Sequence, residues 1–256
     1  GNTGCGKSTF VRLIAGLIKS DSGKIIIDGD DITNKKFNKK ILRRKLGIVF
    51  QFPEMQLFEQ TVEKDIFLGL KQYKLTYDEK YKRAKEALEL LGLDFEKIKD
   101  KSPLALSGGE KRKIAVAGIL VCKPKYLIFD EPIAGLDCNS RDSFMKLLLA
   151  LKQNGTTIII ISHNTEYLAE YADRILVMDG GKIILDDKPN EIFNQTNLLN
   201  NLNIGVCNSK EIANLLNKNG FNIQSDILKY DDLLSSIISN IGVINDWHII
   251  GSLWKY

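Results

Sequence analysis

The run Leu106-Ser107-Gly108-Gly109-Glu110-Lys111-Arg112-Lys113 most narrows what this chain can fold into, because it makes sense only between two other stretches. Ahead of it, Gly1-Asn2-Thr3-Gly4-Cys5-Gly6-Lys7-Ser8 fits the phosphate-loop pattern G-x-x-x-x-G-K-[ST]. Behind it, Tyr126-Leu127-Ile128-Phe129 is an apolar strand that delivers Asp130 and Glu131 side by side. At average residue usage the phosphate-loop pattern arises by accident in roughly one chain of this size per hundred, and L-S-G-G-[EQ] in about one per thousand. Their joint appearance in this order is not accidental.

In the loop, Gly1, Gly4 and Gly6 let successive N–H groups curl around an anion, and a helix opening at Lys7 aims its positive end at the same point. Asn2, Thr3 and Cys5 fill the variable positions of that cradle, and Thr9 follows it. Lys7 supplies a mobile charge for the β- and γ-phosphates, and the Ser8 hydroxyl is a hard-oxygen ligand suited to Mg²⁺. Cys5 offers a probe, since bound nucleotide should shield it from thiol reagents. The plainer alternative is a glycine-rich turn before a helix. A phosphate loop is held between a strand and a helix, and no strand precedes Gly1, so the expectation is that the sequence begins inside a longer chain.

Past a helix ending near Gly16, residues 22–29 read as turn, short strand and turn, and the basic segment 35–45 as a solvated helix face. Leu46 to Phe50 is a buried-strand pattern leading to Gln51, whose neutral side chain could contact Mg²⁺ or an attacking water. Met55, Leu57 and Phe58 follow in an apolar loop that either packs internally or receives a partner's helix. Apolar positions at Tyr81, Ala84, Leu88 and Leu91 predict an amphipathic helix over 76–91. Ser107, Gly108 and Gly109 open another helix, to about Val121, whose N–H groups again suit anionic oxygen, though Ser107 could be a simple N-cap. Asp130 and Glu131 would be expensive to bury without a cation: Asp130 would hold Mg²⁺ through water and Glu131 act as general base. Asp137 caps a helix over 139–152. The β-branched run 156–161 predicts a buried strand leading to Ser162-His163, and 173–185 a hairpin.

These motifs together resemble the ATP-binding cassette (ABC) ATPases, over roughly residues 1–187. The resemblance implies an α/β P-loop fold with a mainly parallel sheet, a helical insert over about 54–120, ATP and Mg²⁺ as cofactors, and sites formed between two subunits. It implies that Gln51 links nucleotide to a transmembrane partner, that Ser107, Gly108 and Gly109 reach the γ-phosphate held by the opposite subunit, that Asp137 contributes across the dimer, and that His163 contacts the γ-phosphate and Glu131. The sequence departs from the usual pattern at Glu110, where glutamine is commoner, at Ile133 and at Cys138. A chromosome-maintenance ATPase is excluded, because only 99 residues separate Lys7 from Ser107 and leave no room for a long coiled coil.

Residues 49–69, with Phe50-Gln51-Phe52-Pro53-Glu54-Met55-Gln56-Leu57-Phe58, are similar to the ATPases of energy-coupling factor (ECF) importers of vitamins and metals, particularly the second of their paired subunits. Residues 188–238 resemble the segment that helps hold those two subunits together, with apolar stripes at Ile212, Leu215, Leu216 and at Leu233, Leu234, Ile237, Ile238. The expected partners are a second ATPase subunit, like or unlike, an integral membrane coupling subunit and a substrate-binding membrane subunit, at the cytoplasmic face of the membrane. Trp247, His248 and Trp254 lie in a tail without a motif. A non-transport ABC ATPase and a catalytically silent fragment are the competing readings.

Composition agrees. With 44% hydrophobic and 27% charged residues the chain can bury a substantial core. Its longest conspicuous apolar run, 157–161, is far short of the ~20 residues that cross a bilayer, so a membrane role must come through a partner. A net charge of +4 is too mild to argue for nucleic acid. Cys5, Cys122, Cys138 and Cys207 share no C-x-x-C spacing, so neither a zinc site nor a disulfide framework is expected and a reduced, cytoplasmic setting is the default.

Overall fold

The computed structural model describes residues 1–224 and 226–241. It forms two compact units: residues 8–161, and residues 1–7 joined with the chain from Ser162 on.

In the first unit, α1 (Lys7–Ile14), which starts one residue before the unit's boundary, buries Val11 in a cluster with Ile32, Leu42, Leu46 and Ile128. β1 (Ile26–Ile27) and β2 (Asp30–Asp31) pair as an antiparallel hairpin. The sequence predicts only the first of these strands, because two aspartates carry almost no strand signal. α2 (Lys39–Lys45), capped by Asn38, buries Leu42 and leaves Lys39 and Lys40 exposed.

β3 (Leu46–Val49) then feeds the helical insert: a 3-10 turn (Pro53–Gln56), α3 (Val62–Gly69), α4 (Tyr77–Leu90), α5 (Phe95–Ile98) and α6 (Gly108–Leu120). Val62, Ile66, Leu70, Leu88 and Ile114 are wholly shielded from solvent. Each such side chain contributes about 1.5–3 kcal/mol. α3 and α6 approach so closely that a Cβ on Gly69 would lie 2.3 Å from the Gly118 carbonyl oxygen, which only glycine allows. The predicted helix over 76–91 is present, started by a reciprocal capping box between Thr76 and Glu79.

β4 (Tyr126–Asp130) lies between β3 and β5 (Thr157–Ile161), and both pairings are parallel, with Val49 opposite Phe129 and Asp130 opposite Ile161. Leu127, Ile128 and Phe129 are buried on both faces, as a central parallel strand requires. The run in β5 predicts an equally buried strand. It is instead an edge strand among the described residues, with Ile159 38% exposed, so β-branching here reports strand preference and not depth. α7 (Cys138–Gln153) joins β4 to β5 and is capped by Asp137.

The second unit contains α8 (Thr165–Tyr171), the hairpin β6 (Ile175–Asp179) and β7 (Lys182–Asp187), and then α9 (Pro189–Asn194), α10 (Thr196–Asn201), α11 (Asn208–Lys218) and α12 (Tyr230–Ile241). Ile175, Val177, Ile192, Phe193 and Leu199 share one core, and Ala213, Leu216, Ile223, Ile227 and Leu233 another. Each apolar stripe expected in α11 and α12 is split. Leu216 and Leu233 turn inward, while Leu215, Leu234 and Ile238 are 53%, 57% and 60% exposed. Trp247, His248 and Trp254 lie outside the described residues. The four cysteines are free thiols.

Candidate nucleotide site

The phosphate loop folds as its glycines require. Gly4 and Gly6 adopt φ of 83° and 103°, values open to glycine at little cost, and a Cβ on Gly6 would only touch the Gly181 Cα at 3.4 Å, so the constraint there is the backbone angle. The loop is anchored at Cys5, whose carbonyl accepts the Gly181 N–H at 3.0 Å, and at Asn2, whose amide donates to the Leu202 carbonyl at 2.7 Å. Lys7 leans back over the loop, its Nζ donating to the Gly1 and Asn2 carbonyls at 2.5 and 2.8 Å. Thr3, Ser8 and Thr9 are exposed. Cys5 is buried, with its thiol 3.7 Å from Lys7 Nζ. Its protection from thiol reagents therefore does not require nucleotide, which corrects the expectation of a simple chemical probe.

Parallel pairing of β3, β4 and β5 makes all three strands end at one edge of the sheet. Gln51 follows β3 and is exposed there, Asp130 closes β4, and the chain leaves β5 two residues before His163. Glu131 extends the ladder by one bond, its N–H donating to the Ile161 carbonyl at 2.9 Å. Its backbone then turns into the left-handed region, with φ of 50°, a conformation costly for a side chain of this size. Among the described residues no three His, Cys, Asp or Glu converge on a metal position.

Ser107, Gly108 and Gly109 lie at the solvent-facing start of α6. Ser107 is indeed an N-cap, in a capping box with Glu110. Its hydrogen bond to the Glu110 carboxylate, reinforced by the Ser107 N–H, holds that carboxyl below its usual range. Asp137 is likewise engaged locally. Its carboxylate accepts from the Ser140 hydroxyl at 2.6 Å and N–H at 3.0 Å, which together lower its pKa. Gln51, Asp130, Glu131, Ser107 and Asp137 belong to the first unit, and Gly1–Lys7 and His163 to the second. Sequence reasoning gives no role to Arg112, whose guanidinium donates to the Pro132 and Ala134 carbonyls just after Glu131. Its partners are backbone atoms, so no residue pattern could have announced them.

A glycine cradle leading into a helix, an acidic pair ending a central parallel strand and a second helix opened by Ser-Gly-Gly define a P-loop ATPase of the ABC class. The ABC transporter family model matches residues 1–134. The chain is 44% identical over 239 residues to the energy-coupling factor transporter ATP-binding protein EcfA2 of Clostridium tetani, covering 93% of this chain and 83% of that protein. Among solved structures, it resembles cbiO1 of Clostridium perfringens, part of the ABC transporter complex cbiONQ, with 39% identity, a TM-score of 0.68 and 85% of each chain covered. It also resembles the ATP-binding cassette MJ0796, solved as a dimer in a post-hydrolysis state with ADP and Pi, with 28% identity, a TM-score of 0.64, and 74% of this chain and 83% of that one covered. The chain belongs to the EcfA2 family of ECF transporter ATP-binding proteins, ABC ATPases that couple ATP hydrolysis to transport.

Proposed function

We propose that this subunit powers uptake of vitamins or other micronutrients. It would pair with a second ATPase subunit, like or unlike, and act at the cytoplasmic face of the membrane on an integral coupling subunit and a substrate-binding membrane subunit. No helix among the described residues is long and apolar enough to cross a membrane itself. Residues 1–187 would form the nucleotide-binding cassette and 188–256 the C-terminal region that joins the two ATPases. The exposed side chains of Leu215, Leu234 and Ile238 support that joining role.

In this reading, the backbone of Gly1, Asn2, Thr3, Gly4, Cys5 and Gly6 cradles the phosphates, with Thr9 beside them, and Lys7 exchanges its loop carbonyls for phosphate oxygens. Ser8, Gln51 and Asp130 would hold Mg²⁺, which when bound would supply positive charge against the phosphate oxygens. Glu131 takes a proton from the attacking water. His163 orients the γ-phosphate, and Ser107, Gly108, Gly109 and Asp137 reach the nucleotide of the opposite subunit. The dimeric state of the related MJ0796 cassette agrees with a shared site. Met55 and Phe58, 82% and 75% exposed in the loop after Gln51, suit a groove for a helix of the membrane partner.

The reading rests above all on the common end of β3, β4 and β5, which presents Gln51, Asp130 and Glu131 at one edge. Its test is Glu131→Gln in the assembled transporter: ATP binding persists while hydrolysis falls by roughly 10²–10⁴-fold. Undiminished hydrolysis would remove the general-base assignment.

A further inference from the structure

The backbone at Glu131 is held in its left-handed turn from two sides. On one, its N–H donates to the Ile161 carbonyl at 2.9 Å, tying it to the sheet. On the other, Arg112 of α6 grips the chain that follows, Nη1 donating to the Ala134 carbonyl at 3.1 Å and Nη2 to the Pro132 carbonyl. Ala134 in turn reaches back, its N–H 3.3 Å from the Glu131 carbonyl oxygen. A glutamate at φ of 50° persists only where its surroundings over-determine it. The planar fork of a guanidinium can hold two carbonyls at once, which an ammonium cannot do with the same geometry.

Arg112 has an unusual neighbour. Glu54, on the 3-10 turn Pro53–Gln56 that packs on α6, has a buried Oε2 without a hydrogen-bond partner. Burial lowers the Arg112 pKa, and the negative charge of Glu54 acts against that shift, so the two groups sense each other through space. Glu54 lies in a loop whose Phe52 and Met55 are both exposed, and a displacement of this loop changes the field at the guanidinium that grips the chain after Glu131.

We propose that Arg112 is a positioning residue for hydrolysis, fixing the Glu131 backbone through Pro132 and Ala134, and that Glu54 makes this grip depend on the conformation of the loop 52–58. The inference rests on Glu131 being the general base. It is tested with the full-length chain in its complete transporter assembly by measuring kcat and KM for ATP. Arg112→Gln is expected to lower kcat on the order of 10–100-fold, the scale of a slightly misplaced catalytic group, with KM within about twofold of the parent. Arg112→Lys, which keeps charge and bulk, should give an intermediate kcat at an unchanged melting temperature, guarding against loss of the fold. Arg112→Gln should slow a Glu131→Gln enzyme no further, because both changes remove the same contribution. Glu54→Gln should lower kcat in the parent and not in the Arg112→Gln background.

Full kcat in Arg112→Gln beside a collapsed Glu131→Gln, or losses that multiply in the double variant, would overturn the role of Arg112. Equal effects of Glu54→Gln in both backgrounds would overturn the link to the loop. Undiminished hydrolysis by Glu131→Gln alone would overturn the general-base reading and this inference together.

Discussion

Ser107 and Glu110 satisfy each other across the first turn of α6. The Glu110 N–H donates to Ser107 Oγ at 3.3 Å, and the Glu110 carboxylate accepts from the Ser107 N–H at 3.0 Å and from its hydroxyl at 2.8 Å. The single hydroxyl proton of Ser107 is thereby committed to a negative charge, at the helix end proposed to meet a γ-phosphate. Phosphate must win that proton or rely on the N–H groups of Gly108 and Gly109, and it must approach a carboxylate either way. Glu110→Gln keeps the shape of the box and removes the charge. In a Glu131→Gln background it is expected to bring ATP-induced dimerisation to a lower ATP concentration, read by size-exclusion chromatography at graded ATP. Because the Glu110 pKa is lowered, the carboxylate stays charged as pH falls through the mildly acidic range, so acidification from about pH 7 to 5 should not reproduce the effect.

Gly6 holds a φ of 103°, a backbone conformation that any side chain strains. Gly6→Ala therefore forces the loop to shift, at a cost on the order of 1–3 kcal/mol if the strain is borne in the bound state. Affinity for a fluorescent ATP analogue should fall by roughly tenfold or more, at about 1.4 kcal/mol per factor of ten. An unchanged affinity would mean that the loop relaxes freely on binding.

Met55 and Phe58 bury too little to stabilise their own chain. Replacing both by serine should leave the stability of the isolated subunit, read from its urea midpoint, within about 0.5 kcal/mol of the parent. The same double variant should fail to recover the membrane subunits from solubilised membranes. Recovery at the parental level would assign the docking surface elsewhere.

Asp28 ties the β1–β2 hairpin to the start of β4. It accepts from Lys125 Nζ and the Tyr126 hydroxyl, both at 2.6 Å, and pairs with Lys45 at 3.2 Å, contacts that hold its carboxyl far below the ordinary range. A depressed carboxylate pKa stabilises the fold fully above the unfolded value, about 3.9, and the contribution is lost as pH falls from there through the folded value. Asp28→Asn should thus lower the denaturation midpoint at pH 7 and narrow its gap to the parent in strong acid. A gap that is constant with pH would show that the contacts act through shape and not charge.

Much of this is legible in the residues themselves, for reasons that differ by element. The cradle can be read because glycine spacing and a following lysine encode backbone geometry directly, and the capping residues Ser107 and Asp137 because a short polar side chain before a helix has one common use. β4 is legible from its unbroken apolar run. β5 has the same kind of run yet lies at an edge among the described residues, since side-chain chemistry sets strand preference while depth is set by which neighbours pair. The second strand of the hairpin, Asp30–Asp31, escapes a reading of the sequence because register, not composition, recruits it. In α11 and α12 the periodicity marks the apolar residues correctly without saying which of them turn inward. Arg112 is invisible because its acceptors are main-chain oxygens brought near only by folding.

The turn at Glu131 sets a trade-off between durability and chemistry. Asparagine populates the left-handed region more readily than glutamate, so a chain selected only to endure heat would favour the amide at this position over the acid now there. Glu131→Asn is accordingly expected to melt a few degrees higher than the parent while turning over far less ATP. On that view the protein keeps a permanently uncomfortable residue at the one point where comfort would leave it idle.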